Sequence, residues 1–246
     1  MIKYHPSEWD IEDFVAGNVS PAKSLITAAH IDMCSCCAIR AENAHFRQAK
    51  TLESEKCQNA FDGMHSMMQA ITDNNISTTK TETSACRNTP DNINQMSSRR
   101  KIDDSRILHL EGKRFAVPKT LARYIPQNVV WSKYLGKLWQ VPIKIGGRNL
   151  AYFIYLEGGG YVPEHTHAGT EMILVIDGQF SDGIGSYRQG DVVTFDEKHT
   201  HSPVTKVGEG CLIFIIIDEP LSFTNSWARV INPLSQLYFN LHTSKR

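Results

Sequence analysis

The segment GYVPEHTHAGTEMILVIDG, residues 160–178, constrains this chain more than any other. Side chains alternate faces along a strand, so His165 and His167 share a face, and a turn at Ala168–Gly169 is expected to fold Glu171 back beside them as a hairpin. That arrangement offers three metal ligands. Further along, His199-Thr200-His201-Ser202-Pro203 brings another imidazole. His201 is the preferred fourth ligand, because Ser202-Pro203 reads as the end of a strand, and His199 is the alternative. Three imidazoles with one carboxylate suit Zn, Fe, Mn or Ni rather than Ca or Mg.

The surrounding chain has the grammar of β-structure from about Ile107 onward. Leu150–Leu156, Glu171–Ile176, Asp191–Phe195 and Cys211–Ile217 are short runs rich in aromatic and β-branched residues. They are separated by turns at Gly158-Gly159-Gly160, Asp177-Gly178 and Gln189-Gly190-Asp191. Short strands at this spacing predict a sandwich or barrel. No repeat of solenoid or propeller length is visible.

Residues 1–72 follow a different period, with apolar positions returning every three or four residues. Ser7 is placed to cap a first helix carrying Trp9, Ile11, Phe14 and Val15 and ending near Gly17. Ser20 and Pro21 open a second helix through Leu25, Ile26, Ala28 and Ala29. A third is expected over about Cys37–Ala49. A fourth, around Ala60–Ile71, carries a stripe of Phe61, Met64, Met67, Met68 and Ile71 that suits either a partner's groove or the other three helices.

These helices hold a second candidate metal site, His30-x-x-x-Cys34-x-x-Cys37 with His5 upstream. Positions i, i+4 and i+7 of a helix share a face, so His30, Cys34 and Cys37 can converge while His5 completes a closed tetrahedral set. Two imidazoles and two thiolates match structural Zn2+, and a metal clamp adds folding energy to a small helical unit. His45 is an alternative fourth ligand, and Cys36 an alternative thiolate on another helix face. Six cysteines in 246 residues, three of them at 34, 36 and 37, favour metal or redox chemistry over a disulfide scaffold.

Between the two parts, residues 73–104 are dominated by Asn, Ser, Thr, Asp and charged residues and read as a polar flexible linker. Lys plus Arg equals Asp plus Glu at 26 each, so no global positive field exists to hold nucleic acid or anionic lipid. The start MIKYHPSEWD lacks an apolar leader core, and the apolar run Cys211–Ile217 is too short to span a bilayer. A cytoplasmic protein is expected.

The 160–203 pattern, with its glycines, Gly190-Asp191 and His ahead of Pro, resembles the cupin motifs; the 5–37 pattern resembles the zinc-binding anti-sigma domain. Their order on one chain resembles the ChrR family of anti-sigma factors. The resemblance covers residues 1–72 and about 105–225 and leaves a C-terminal tail, 226–246, unmatched. It implies a multidomain α + β chain: a small helical zinc domain, the linker, then a cupin β-barrel. It implies zinc at His5, His30, Cys34 and Cys37, and Zn2+ or another divalent transition metal at His165, His167, Glu171 and His201. It further implies a helical domain that binds an extracytoplasmic-function sigma factor and blocks its access to RNA polymerase. The cupin would release that factor on sensing singlet oxygen or organic peroxide. The long polar linker departs from the family pattern.

Two other classes compete with this binding role. A cupin metalloenzyme of dioxygenase, decarboxylase or isomerase type would use the same ligands, but it leaves the His-Cys helices unexplained and no distinct acid or base stands out beside Glu164. A direct DNA-binding regulator lacks a basic recognition helix.

Overall fold

In the computed structural model, the described residues are 1–55, 107–134, 137–145, 149–224 and 232. Met1–Phe46 and Ile102–Arg246 form one compact unit, and Arg47–Lys101 separates as a second. The expected methionine-striped helix, the polar linker, the boundaries at 72, 104 and 225 and the tail apart from Asn232 lie outside the described residues.

Helix α1 spans Glu8–Ala16 and is closed at both ends by its sequence. Ser7 accepts from the Asp10 backbone and Asp10 reaches back to the Ser7 backbone, while Gly17 ends the helix in the left-handed region at φ 73°. Helix α2, Pro21–Met33, starts on the Ser20 cap with proline at its first position. Helix α3 covers Ser35–Glu55, longer at both ends than its predicted span. The break between α2 and α3 is Cys34, extended at φ −119° and ψ 103°. His30, Cys34 and Cys37 therefore do not ride on one continuous helix, as their spacing had predicted.

The β part begins with a hairpin, β1 (Ile107–Leu110) and β2 (Lys113–Ala116), followed by a short helix α4 (Lys119–Ala122). The strands that follow are β3 (Ser132–Tyr134), β4 (Leu138–Ile143), β5 (Leu150–Leu156), β6 (His165–His167), β7 (Glu171–Ser181) and β8 (Ser186–Arg188). The last four are β9 (Val192–Phe195), β10 (Thr200–His201), β11 (Cys211–Ile217) and β12 (Leu221–Phe223). A seven-stranded antiparallel sheet runs β3-β4-β5-β11-β7-β8, with β9 also paired to β7, and a three-stranded sheet runs β10-β6-β12. Among the described residues the sheets stay open, so the cupin-like strands do not close into the expected barrel.

The central strands are buried on both faces, which is why LAYFIYL and CLIFIII read as nearly continuous apolar runs. One face of the large sheet presents Phe153, Leu174, Ile176, Leu212, Phe214 and Ile216 to a core shared with Leu25, Ile26 and Ala29 of α2. The hairpin and α4 close the same core through Leu108, Phe115 and Leu121. Helix α2 thus spends its apolar stripe on the sheet. The opposite face, including Ile154, Ile173, Ile213 and Ile215, lines a cavity on the side of the histidines.

Candidate metal centres

His165 and His167 point inward from β6 because they are two residues apart, and Thr166 between them donates its hydroxyl to the His199 carbonyl at 3.2 Å. Antiparallel pairing sets His201 of β10 directly opposite His165. Glu171 arrives differently from the predicted hairpin: β6 and β7 belong to different sheets. The turn between them is tied to the end of β11, with the Thr170 N–H donating to Asp218 at 2.5 Å and Asp218 N–H returning to the Thr170 carbonyl at 3.2 Å. Glu171 therefore meets the histidines from across the gap between the sheets.

The four side chains are 2–4% exposed, and their ligand atoms all lie within 4.8 Å of one another. His201 Nε2 is 3.0 Å from His165 Nε2, 3.2 Å from His167 Nε2 and 3.3 Å from Glu171 Oε2. Donors bound about 2.0–2.1 Å from a tetrahedral ion stand about 3.4 Å apart, so this spacing fits a cation. Two further observations point the same way. Glu171 Oε2 is buried facing the imidazole nitrogens of His201 at 3.3 Å and His167 at 3.5 Å, a crowding of buried acceptor atoms that a cation would satisfy. The outer nitrogens are engaged elsewhere: His165 Nδ1 donates to the Pro163 carbonyl at 2.8 Å, and His201 Nδ1 to Asp182 at 3.2 Å. This fixes both Nε2 lone pairs toward the centre.

Electrostatics set the cage's protons. Burial pushes His165 down to about 4 and also lowers His167. Burial acts the same way on His201 but is outweighed by its bonds to Asp182 and Glu171 and by their charge, which raise it to about 9. Glu171 is held below the usual carboxylate range: burial opposes this, but the His201 bond and the three imidazoles prevail. Two carboxylates thus draw positive charge to the site, as a proton on His201 or as a metal ion. A cavity of about 120 Å3 opens beside it, lined by His165, Glu171, Ile173, Phe180, Cys211 and Ile213 among others.

The second cluster brings His5, His30, Cys34 and Cys37 within the same 4.8 Å. His5 Nδ1 lies 3.3 Å from His30 Nε2, 3.5 Å from Cys34 Sγ and 3.4 Å from Cys37 Sγ, and His30 Nε2 lies 3.3 Å from Cys37 Sγ. These spacings and the two-nitrogen, two-sulfur donor set fit a tetrahedral ion. His30 is fully buried and its Nδ1 donates to the Gly190 carbonyl at 2.8 Å. Burial lowers its pKa against the opposing pull of that carbonyl and of the Asp191 charge. Cys37, also fully buried, is raised to about 12 by burial and by the neighbouring Cys34. A cation would reverse that penalty by binding the thiolate.

The structure assembles all eight predicted ligands into two clusters. His45 is exposed on α3 and Cys36 lies outside the cluster, packed against its apolar surround. His199 pairs instead with Asp196 at 2.7 Å. Sequence reading missed Asp182, which orients His201 while its other oxygen accepts the N–H groups of Ile184 and Gly185. An Asp before Gly183 carries the signature of a turn, and that is half of what it does.

Residues 126–219 match the family profile described as the ChrR cupin-like domain. Over 239 residues it is 25% identical to the anti-sigma-E factor ChrR of Cereibacter sphaeroides, an alignment spanning 96% of this chain and 99% of that protein. The solved complex of Rhodobacter sphaeroides SigE with the anti-sigma ChrR superposes with a TM-score of 0.60 at 24% identity, over 89% of this chain and all of that one. The helices and the cupin-like strands together therefore share that fold. No helix among the described residues is long and apolar enough to cross a membrane.

Proposed function

We propose that this chain is a cytoplasmic anti-sigma factor that binds and inhibits an extracytoplasmic-function sigma factor through its N-terminal helices. The observation that carries this reading is the end-to-end similarity to an anti-sigma factor, helices and cupin-like domain alike. The helices also display apolar side chains with nothing of this unit to cover them: Trp9 is 77% exposed, Phe46 72% and Ile39 45%. Large apolar groups left exposed on a surface are candidates for protein contacts. In this reading His5, His30, Cys34 and Cys37 hold zinc, which clamps the break between α2 and α3 and so sets the helices' mutual geometry. His165, His167, Glu171 and His201 hold Zn2+ or another divalent transition metal, supplying a Lewis-acid centre beside the apolar cavity. The ChrR cupin-like domain senses oxidative stress, singlet oxygen or organic peroxide, and release follows if the altered state binds the sigma factor less tightly.

The test is affinity purification of the tagged full-length chain from its own cells with bound proteins identified by mass spectrometry. A stoichiometric sigma factor, lost from a Trp9→Ala/Phe46→Ala double variant and released by peroxide or photosensitiser, is the expected result. A metal-loaded chain that retains no sigma factor overturns the proposal.

A cupin enzyme is the second reading, and the cavity beside the His/Glu cage is the observation in its favour. Against it, the polar side chains that line the cavity besides the cage are Gln140 and Cys211. The Cys211 thiol is pushed well above its usual range by burial, with the Asp177 charge adding to it, so neither group is a proton acceptor near neutral pH.

A further inference from the structure

The turn Gln189-Gly190-Asp191 between β8 and β9 belongs to the cupin-like domain, yet its polar groups face the N-terminal segment. Asp191 is fully buried. Its Oδ1 accepts the backbone N–H of Lys3 at 2.6 Å and of Tyr4 at 3.0 Å, and its Oδ2 accepts that of Arg188 at 2.9 Å. The Tyr4 carbonyl in turn accepts the Val192 N–H at 3.1 Å. Residues 3 and 4 are thereby bound along the start of β9, and the next residue is His5. The Tyr4 ring lies 5.1 Å from that of Tyr187 on β8, fixing the same segment from its side-chain face.

Gly190 contributes from the other direction. Its carbonyl accepts from His30 Nδ1, as described above, and its backbone sits at φ 89°, where a side chain would be strained. The turn itself is rigidly held, with the Gly190 N–H donating to the Val175 carbonyl at 2.8 Å and the Val175 N–H to the Asp191 carbonyl at 3.0 Å. Two of the four ligands of the His/Cys cage, His5 and His30, are therefore aimed by one turn of the cupin-like domain.

We propose that Asp191 and the Gly190 carbonyl are positioning groups for the His5–His30–Cys34–Cys37 cage, so that the cupin-like domain sets how tightly the helices hold a metal. The inference rests on the reading that this cage binds a metal. It adds a route between the two centres: β9 leads from this turn to Phe195, whose ring lies 4.2 Å from that of His201 and stacks at 6.3 Å on His167. A rearrangement at the His/Glu cage would thus reach the His/Cys cage along one paired strand. Groups that orient ligands from outside a metal's coordination sphere typically change its affinity by about 10–100-fold, which sets the expected scale.

The experiment uses the full-length chain loaded with Co2+, because a sulfur-to-Co2+ charge-transfer band reports the His/Cys cage alone; the His/Glu cage has no sulfur ligand. Asp191→Ala is expected to weaken Co2+ and Zn2+ at the His/Cys cage by about 10–100-fold in chelator competition, with metal retained in the His/Glu cage. Lys3→Pro deletes one N–H bonded to Asp191 without altering the cupin-like domain, and is expected to weaken the same cage by about tenfold. Unchanged affinity of the band-forming site in both variants overturns the inference while leaving the metal reading intact. A wild-type chain without the band overturns both. If Asp191→Ala empties both cages together through unfolding, Lys3→Pro decides: selective weakening sustains the proposal, and no change refutes it.

Discussion

The His/Glu cage stands on paired strands. His165 and His201 are register partners, His167 follows two residues on, and Glu171 opens the neighbouring sheet. The His/Cys cage is more mixed: one turn of the sheet aims His5 and His30, but its ligands come from an N-terminal segment, a helix, the break after that helix and the next helix. Ladder hydrogen bonds hold the first cage's backbone in place whether or not a cation is present. The second has four buried apolar residues, Ile11, Cys34, Cys37 and Ala41, as the core of its own cluster, two of them ligands. The strand-borne cage is therefore held by its sheets, beside an apolar cavity. The helix-borne cage is suited to a structural ion that completes a fold.

The largest effect should come from removing a thiolate. Structural zinc supplies on the order of 10 kcal/mol to small sites of this composition, so Cys37→Ala is expected to abolish the charge-transfer band and loosen α1–α3, seen as lost helical circular dichroism. The His/Glu cage should keep its metal, measured by elemental analysis. Loss of both metals together would erase the contrast between a strand-borne cage and a helix-borne one.

Next in size is the shared core. Ile26 of α2 is 2% exposed and packs with the large sheet, and truncating such a residue costs about 2–5 kcal/mol. Ile26→Ala should lower the denaturant midpoint of a single cooperative transition, followed in parallel by circular dichroism and tryptophan fluorescence. A helical signal that melts on its own, ahead of the sheet, would show that α2 and the strands do not share one core energetically.

A smaller change sharpens the comparison from the cupin side. Asp182→Asn keeps the shape but removes the charge that orients His201, and the expected cost is about 10–100-fold in metal affinity at the His/Glu cage. The sulfur-to-metal band should be unaffected. Titrating metal into both variants, Asp182→Asn and Asp191→Ala, would give opposite patterns of loss if each carboxylate serves its own cage.

What the sequence disclosed follows the same division. Ser7, Gly17, Ser20 and Pro21 act locally, and each helix end lies where those residues place it. The two clusters of candidate ligands were legible because metal chemistry demands such residue types at short spacing. The break at Cys34 was not, since H-x-x-x-C-x-x-C fits an uninterrupted helix equally well and only convergence with His5 requires the extended backbone. The hairpin from His167 to Glu171 was wrong for a related reason: a Gly turn between strands does not reveal whether they pair or part. Nor does an amphipathic stripe name its partner, so the burial of α2 against the large sheet was invisible. Asp182 and Asp191 both sit beside glycines at strand ends, where turn chemistry hides their longer-range bonds.

The smallest effect tests the local grammar itself. Asp10 closes the α1 capping box, accepting from the Ser7 N–H at 3.0 Å and hydroxyl at 2.7 Å, and it pairs with Lys23 of α2. Burial opposes its ionisation, but the bonds from Lys23 and Ser7 prevail and hold its pKa below the usual 3.8. A carboxyl whose folded pKa is depressed stabilises the fold above its unfolded value and loses that contribution as pH falls through the folded one. Asp10→Ala should therefore cost about 1 kcal/mol at neutral pH, and its difference from wild type should shrink below about pH 4. Because α1 packs against the His/Cys cage through Ile11, the band-forming site should weaken slightly in parallel. The same loss appearing at the His/Glu cage would mean that α1 is coupled to the strands as closely as to its own cluster.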